Sequence, residues 1–259
     1  MRRVLLALPL ALLLAACATK HTTVAGALRL GTTAEENYQK GLDELREKNY
    51  PEAVRFFEYV KAKYPYSKVS AEAGLRLADV KFADGRFLEA AEAYEAFQKD
   101  HPTSDELDYA EFRAGLAHAK AAPHDFFLLP PLEEKDQAET EKAVTVLRAF
   151  LEKRPSSKWV PEARKALAEA ENLLAKRELY AGDYYAKREH WAGAAGRYKG
   201  LVERFPESPL AGTALWKLAR AQVKLDQKFL ARQALQRLIA EHPESGQRAE
   251  AEKLLESLR

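Results

Sequence analysis

Five prolines set a frame into which most of this chain falls. Pro65, Pro102, Pro155, Pro206 and Pro243 are each followed two residues later by serine: Ser67, Ser104, Ser157, Ser208 and Ser245. Twelve residues before each proline stands an alanine (Ala53, Ala90, Ala143, Ala194, Ala231). Eight before it comes a large apolar residue (Phe57, Tyr94, Leu147, Tyr198, Leu235), and five before it another (Val60, Phe97, Phe150, Leu201, Leu238). Steps of four and three residues keep these positions on one helical face. One helix therefore recurs five times, and its repeated apolar face has to be buried between neighbours rather than in one central ball.

The spacing defines the array. Pro65 to Pro102 and Pro206 to Pro243 are both 37 residues, whereas Pro102 to Pro155 is 53 and Pro155 to Pro206 is 51. Two units are plain and two carry insertions of 16 and 14 residues. A small residue stands 24 before the proline (Gly41, Ala78, Gly182, Ala219), and Gly115 joins them once the 16-residue insertion is discounted. Such a residue on a first helix, facing the alanine on a second, lets two antiparallel helices approach closely.

The pattern resembles the tetratricopeptide (TPR) repeat. The expected fold is all-α, a TPR-like superhelix of five helix pairs plus a short C-terminal helix. The repeats fall at about 34–66, 67–103, 104–156, 157–207 and 208–244, with a capping helix at 246–258. In each Pro-x-Ser, proline stops one helix and serine is expected to cap the next. The first insertion, Ala122 to Lys135, is so apolar (Phe126 to Leu129, then Pro130 and Pro131) that either its own superhelix or a partner must cover it. The second keeps a helical pattern, which predicts one long helix from Trp159 to Arg188, protruding from the array by about 21 Å.

The amino-terminal segment follows other rules. Arg2 and Arg3 precede an apolar run, Val4 to Leu14, and small residues before Cys17. This reads as a secretory signal peptide over 1–16, too short for a membrane span. Its end is similar to the bacterial lipobox, which implies cleavage before Cys17 and lipidation of that thiol, the only cysteine in the chain. Several acyl chains would anchor it firmly to a membrane. By resemblance to enterobacterial sorting, Ala18 favours the outer membrane. Residues 17–33 lack periodicity and read as the lipidated cysteine and a flexible tether.

Composition narrows the chemistry. Without Arg2 and Arg3 the chain has 39 basic and 39 acidic residues (41 − 2 basic), a balance that argues against nucleic acid and against a polybasic membrane patch. The six histidines are scattered, and no pair has metal-ligand spacing. No glycine-rich phosphate loop or nucleophile motif occurs, so neither catalysis nor a cofactor is expected.

The candidate site is the groove. If the TPR resemblance holds, positions 30, 27, 23, 20 and 19 before each proline face the concave side. The first half of the groove is then aromatic and aliphatic, including Tyr38, Phe82, Tyr109 and Phe112, with Arg46 and Lys120 nearby. The second half is mostly basic, including Lys187, Arg220 and Lys224. An apolar groove with flanking cations suits an extended peptide with large apolar side chains and a terminal carboxylate.

A lipobox followed by five TPR units with both insertions in these places resembles the BamD family of outer-membrane-protein assembly lipoproteins. The residues that carry the resemblance are Tyr64-Pro65-Tyr66, Asp108-Tyr109 with Gly115-Leu116, Phe126-Phe127, and Tyr184-Tyr185, Arg188 and Trp191 leading to Arg197. It implies that the amino-terminal repeats, with Tyr64 and Tyr66, receive signals of unfolded β-barrel precursors. It implies that the carboxy-terminal repeats, with Arg188, Trp191 and Arg197, hold POTRA domains of a BamA-like barrel subunit. Further assembly lipoproteins are implied partners, at the periplasmic face of the outer membrane. Tyr66 departs from the usual motif, and the first insertion is unusually rich in proline. Two other readings stay open: a TPR lipoprotein acting as a secretin pilotin, and a cell-wall-associated scaffold.

Overall fold

Each of the five Pro-x-Ser sequences folds as the same tight turn. The serine amide donates to the carbonyl of the residue before the proline (Ser67 to Tyr64, Ser104 to His101, Ser157 to Arg154, Ser208 to Phe205, Ser245 to His242) at 2.9–3.1 Å. This is a β-turn with proline at its second position, where a fixed φ is pre-set for the bend. The serine hydroxyls do not act as the expected helix caps. In four turns the hydroxyl accepts the amide two residues on, from Glu106, Trp159, Leu210 and Gln247, at 3.2–3.4 Å. Those four residues immediately precede their helices. Ser67 adjoins its helix directly, but its hydroxyl donates back to the Tyr64 carbonyl. The serines brace the turn, and the helix starts after it.

The computed structural model describes residues 29–123 and 131–258. The signal peptide, Cys17, the tether up to residue 28 and Phe126-Phe127 lie outside the described residues. Eleven α-helices occur among the described residues, with no strand: α1 (Ala34–Arg46), α2 (Tyr50–Lys63), α3 (Lys68–Ala83), α4 (Phe87–Asp100), α5 (Leu107–Ala121), α6 (Ala138–Lys153), α7 (Val160–Lys187), α8 (Trp191–Arg204), α9 (Ala211–Lys224), α10 (Lys228–Glu241) and α11 (Arg248–Ser257). Consecutive helices pack in five antiparallel pairs, with α11 closing on α10. The fold is all-α and TPR-like. First helices also touch one another, α1 with α3 and α5 with α7, so they form the inner layer.

The helix pairs interlock at one point. A methyl group at Gly41, Gly115 or Gly182 would come within 3.0 Å of Phe57, Leu147 or Tyr198 respectively. Ala78 and Ala219 hold the same frame position and share core clusters with Tyr94 and Leu235. The small residue therefore receives the bulky side chain eight before the proline, not the alanine twelve before it as expected. Those alanines are fully buried all the same.

The turn inside a pair is equally regular. Seventeen residues before the proline the backbone is left-handed, at Lys48 (φ 62°), Gly85 (φ 79°), Glu189 (φ 59°) and Asp226 (φ 56°). In repeat three the equivalent Ala122 is extended instead (φ −54°, ψ 150°), and there the first insertion leaves the frame. The insertion's described end, Leu132–Glu134, folds back on the array: the Tyr180 hydroxyl of α7 donates to the Glu134 carboxylate, and the Gln137 amide donates to the Leu132 carbonyl at 2.8 Å.

Helix α7 is 28 residues long, but its extra turns are packed rather than protruding. Ala163 and Ala166 near its start are buried with Phe112, Leu147 and Phe150, whereas Leu174 and Ala175 are buried with Tyr198 and Leu201. One continuous helix thus serves the core of α5 and α6 at one end and that of α8 and α9 at the other.

Two substitutions test these constraints by urea unfolding. Gly182→Ala is expected to destabilise by about 1–3 kcal/mol, because the new methyl overpacks the Tyr198 ring. Glu189→Gly is expected to stabilise by up to about 1 kcal/mol, because glycine adopts positive φ without the Cβ penalty.

Candidate functional site on the inner face

Repeats two and four depart from the apolar frame in the same way. Asp79 and Asp183 stand 23 before their prolines, where repeats one and three have Leu42 and Leu116. The bulky residue eight before the proline is tyrosine in these two repeats alone (Tyr94, Tyr198). Each tyrosine ring fills the core, and its hydroxyl reaches across to the aspartate on the first helix.

Around Asp79 this link grows into a network. The carboxylate accepts hydroxyl hydrogen bonds from Tyr94 (2.5 Å) and from Tyr109 of α5 (2.7 Å), and pairs with the Arg76 guanidinium at 2.6 Å. Arg113 donates to the Tyr94 oxygen at 3.0 Å and lies 3.7 Å from the carboxylate. Arg76 also donates to the Tyr38 oxygen at 3.2 Å, which draws α1 into the same cluster. Asp79 is buried, and the side chains of Arg76 and Arg113 are 17% and 18% exposed. A buried charge at this depth requires such partners. Burial, reinforced by the Asp79 charge, pushes the Tyr94 and Tyr109 hydroxyls above the ordinary tyrosine range, so both remain protonated donors at neutral pH. The guanidinium faces complete the wall: Arg113 lies 3.8 Å over the Phe82 ring, and Arg76 lies 5.3 Å over Tyr109. The result is a rigid patch of arginine and aromatic faces across three repeats, able to hold apolar side chains and a carboxylate.

The expected groove residues divide. Tyr38, Phe82 and Tyr109 meet in this network. Phe112 does not: it is buried, stacked on Trp159 at 5.5 Å and packed with Phe150, and it is corrected to a core residue. The physical reason is the helical step. Position 27 before the proline is buried in the first three repeats (Tyr38, Leu75, Phe112), whereas position 26, about 100° further round the helix, carries the inner-face Arg76 and Arg113. Arg46, exposed at the end of α1, pairs with Asp43 at 2.7 Å. The Tyr64 hydroxyl donates to the Thr32 carbonyl at 3.3 Å, and Tyr66 is fully exposed on the turn. Lys120 is exposed beside a shallow hollow formed with Arg86 to Glu89. These four stand apart from the network.

In the second half, Asp183 accepts from the Tyr198 hydroxyl at 2.6 Å and pairs with Lys217 at 2.6 Å. Lys217 holds the same frame position as Arg76 and Arg113. Of the expected partner-interface residues, Arg188 lies 3.5 Å over the Tyr184 ring, Trp191 lines a pocket with residues of α9, and Arg197 is 3.3 Å from Glu178 of α7. Arg197 lies outside the Trp191 pocket. Arg76, Arg113 and Lys217 were missed by the sequence reading. The signal for them was the pairing of aspartate with tyrosine in repeats two and four.

The model of the family described as YfiO, outer membrane lipoprotein, matches residues 31–238. This chain belongs to that outer membrane lipoprotein family. Two relatives carry the name outer membrane protein assembly factor BamD. That of Xylella fastidiosa (strain Temecula1) is 28% identical over 82% of this chain and 74% of its own length. That of Neisseria gonorrhoeae is 27% identical over 95% of this chain and 93% of its own length. Among solved structures, the TPR2AB-domain:pHSP90 complex of yeast Sti1 aligns at TM-score 0.43 and 15% identity, over 86% of this chain and 84% of that one. The YfiO match spans both halves of the array and both aspartate–tyrosine links. Among the described residues no helix is long and apolar enough to cross a membrane, and no cluster of His, Cys, Asp or Glu could hold a metal. His118, buried between Glu139 (2.6 Å) and Glu95 (3.1 Å), ties α4, α5 and α6 together.

Asp79→Asn leaves two arginines without their shared anion and is expected to destabilise by about 3 kcal/mol or more. Tyr94→Phe, which removes the hydrogen bond to Asp79 and the one accepted from Arg113, is expected to cost at least about 1.5–3 kcal/mol. Chemical denaturation of both variants checks the order.

Proposed function

We propose that this chain is an outer-membrane-protein assembly factor, a scaffold held to the membrane by lipid on Cys17. The observation that carries the reading is the likeness, over 82–95% of this chain, to relatives named as such factors. On this reading the inner face of repeats one to three takes an extended segment of an unfolded β-barrel precursor. The Asp79 network supports it: its arginines and tyrosines are locked in place, so little side-chain freedom is lost when a peptide docks. Arg113, spread over the Phe82 ring, offers a terminal carboxylate a charged partner and flanking side chains an apolar one, while Arg76 is held by Asp79 and by Glu106 at 3.5 Å. Tyr64, and Tyr66 standing out fully exposed, would extend contact past the edge of the groove.

The carboxy-terminal repeats would hold a second partner, POTRA domains of a BamA-like barrel subunit. Arg188, Trp191 and Arg197 are the candidate residues, and Arg197 is half-exposed on α8. On this reading the scaffold carries out no catalytic step. Its work is to bring a substrate segment and the barrel subunit onto one rigid frame, and the continuous helix α7 is the mechanical link between the two halves.

Fluorescence anisotropy with a labelled peptide of alternating aromatic residues ending in phenylalanine, together with a purified POTRA fragment, separates the two surfaces. Tyr64→Ala and Tyr109→Ala are expected to weaken the peptide about tenfold each and to leave the POTRA fragment unaffected. Arg197→Glu is expected to do the reverse by reversing an interface charge. Unchanged peptide affinity in both tyrosine variants would remove the groove, and an unchanged POTRA complex would remove Arg197.

A further inference from the structure

The inner face of repeats four and five carries a pocket of about 350 Å³ between α7, α8 and α9. Its charge balance is one-sided. Asp183 is the only carboxylate lining it, and Lys217 neutralises that group at 2.6 Å. The three other cations on the lining, Lys187, Arg220 and Lys224, have no carboxylate within 4.0 Å among the described residues. Arg220 and Lys224 are four residues apart on α9, so their side chains are neighbours on one helix face. Like charges so placed repel each other, and a bound anion relieves that repulsion. One wall is apolar: the Trp191 indole lies 5.9 Å from the Lys224 ammonium. The Asp183–Lys217 pair and the Tyr198 hydroxyl fix the floor.

We infer that this pocket is a binding site for an acidic residue of an extended peptide, with an apolar side chain beside it. The carboxylate sits among Lys187, Arg220 and Lys224, and the neighbouring apolar group lies against Trp191. Its position on the inner layer of first helices, and a volume fitting one or two side chains, suit a peptide better than a lipid surface. The site is separate from the Asp79 groove and from Arg197, and it stands on its own chemistry whether or not either of those binds its proposed partner. Trp191 is shared with the candidate POTRA surface, so the pocket is tested at Lys187, Arg220 and Lys224, which that surface does not include.

The test uses the whole chain and two labelled peptides that differ in one group, a central aspartate flanked by phenylalanines and its asparagine analogue. The aspartate peptide is expected to bind at least tenfold more tightly, and to weaken as salt is raised. Lys187→Ala, whose side chain is exposed, is expected to weaken it severalfold. The double variant Arg220→Glu with Lys224→Glu is expected to favour a lysine-centred peptide instead. Circular dichroism checks that these surface changes keep the helices. Equal binding of the two peptides, or none of either, would overturn the proposal on the native chain alone. Binding only to phosphatidylglycerol vesicles would overturn it in favour of a membrane contact.

Discussion

The structure depends on one repeated steric fit, a small residue on each first helix receiving a bulky side chain from the second. At Gly41, Gly115 and Gly182 there is no room for even a methyl group against Phe57, Leu147 and Tyr198. That fit sets how closely the two helices of a pair approach, and through it which residues of the first helix turn inward. The β-turns at Pro-x-Ser then fix how one pair follows the next, since each uses a backbone hydrogen bond and a proline-restricted φ rather than side-chain packing. Core and turn act on different parts of the repeat, so the array tolerates two insertions without losing its frame.

Tyrosine in the bulky position links the core to the inner face. Tyr94 and Tyr198 fill the same hole as phenylalanine or leucine elsewhere, but each carries a hydroxyl through the core to an aspartate on the inner face. The aspartate is thereby held in place and can hold a cation from the next repeat in turn, Arg113 near Asp79 and Lys217 on Asp183. The inner face is therefore organised from beneath. One network joins α1, α3, α4 and α5 and is rich in aromatic rings and arginine; the other joins α7, α8 and α9 and is rich in exposed lysine and arginine.

Much of the fold was legible because its determinants are local. A helix face needs only spacing of three and four residues, and a turn needs only proline and serine two apart. The length of α7 followed from a pattern that never breaks between Trp159 and Arg188. What escaped depends on contacts between repeats. Position 27 before the proline and position 26 differ by one step of the helix, and only the packed pair shows that Phe112 turns inward to Trp159 while Arg113 turns to the groove. The packing of α7 was missed for a related reason: its buried alanines, Ala163 and Ala166, gain their partners from α5 and α6. The aspartate–tyrosine pairs were visible as letters, but their meaning required knowing that the tyrosine passes through the core.

The central claim, that this frame joins barrel precursors to a barrel-forming subunit at the outer membrane, is tested most directly by a detergent pull-down of the full-length protein from native membranes, with partners identified by mass spectrometry. The account predicts recovery of a barrel protein bearing POTRA domains. Recovery of a secretin, or of enzymes acting on peptidoglycan, without any POTRA-containing barrel would leave the helical frame intact and contradict the assembly function.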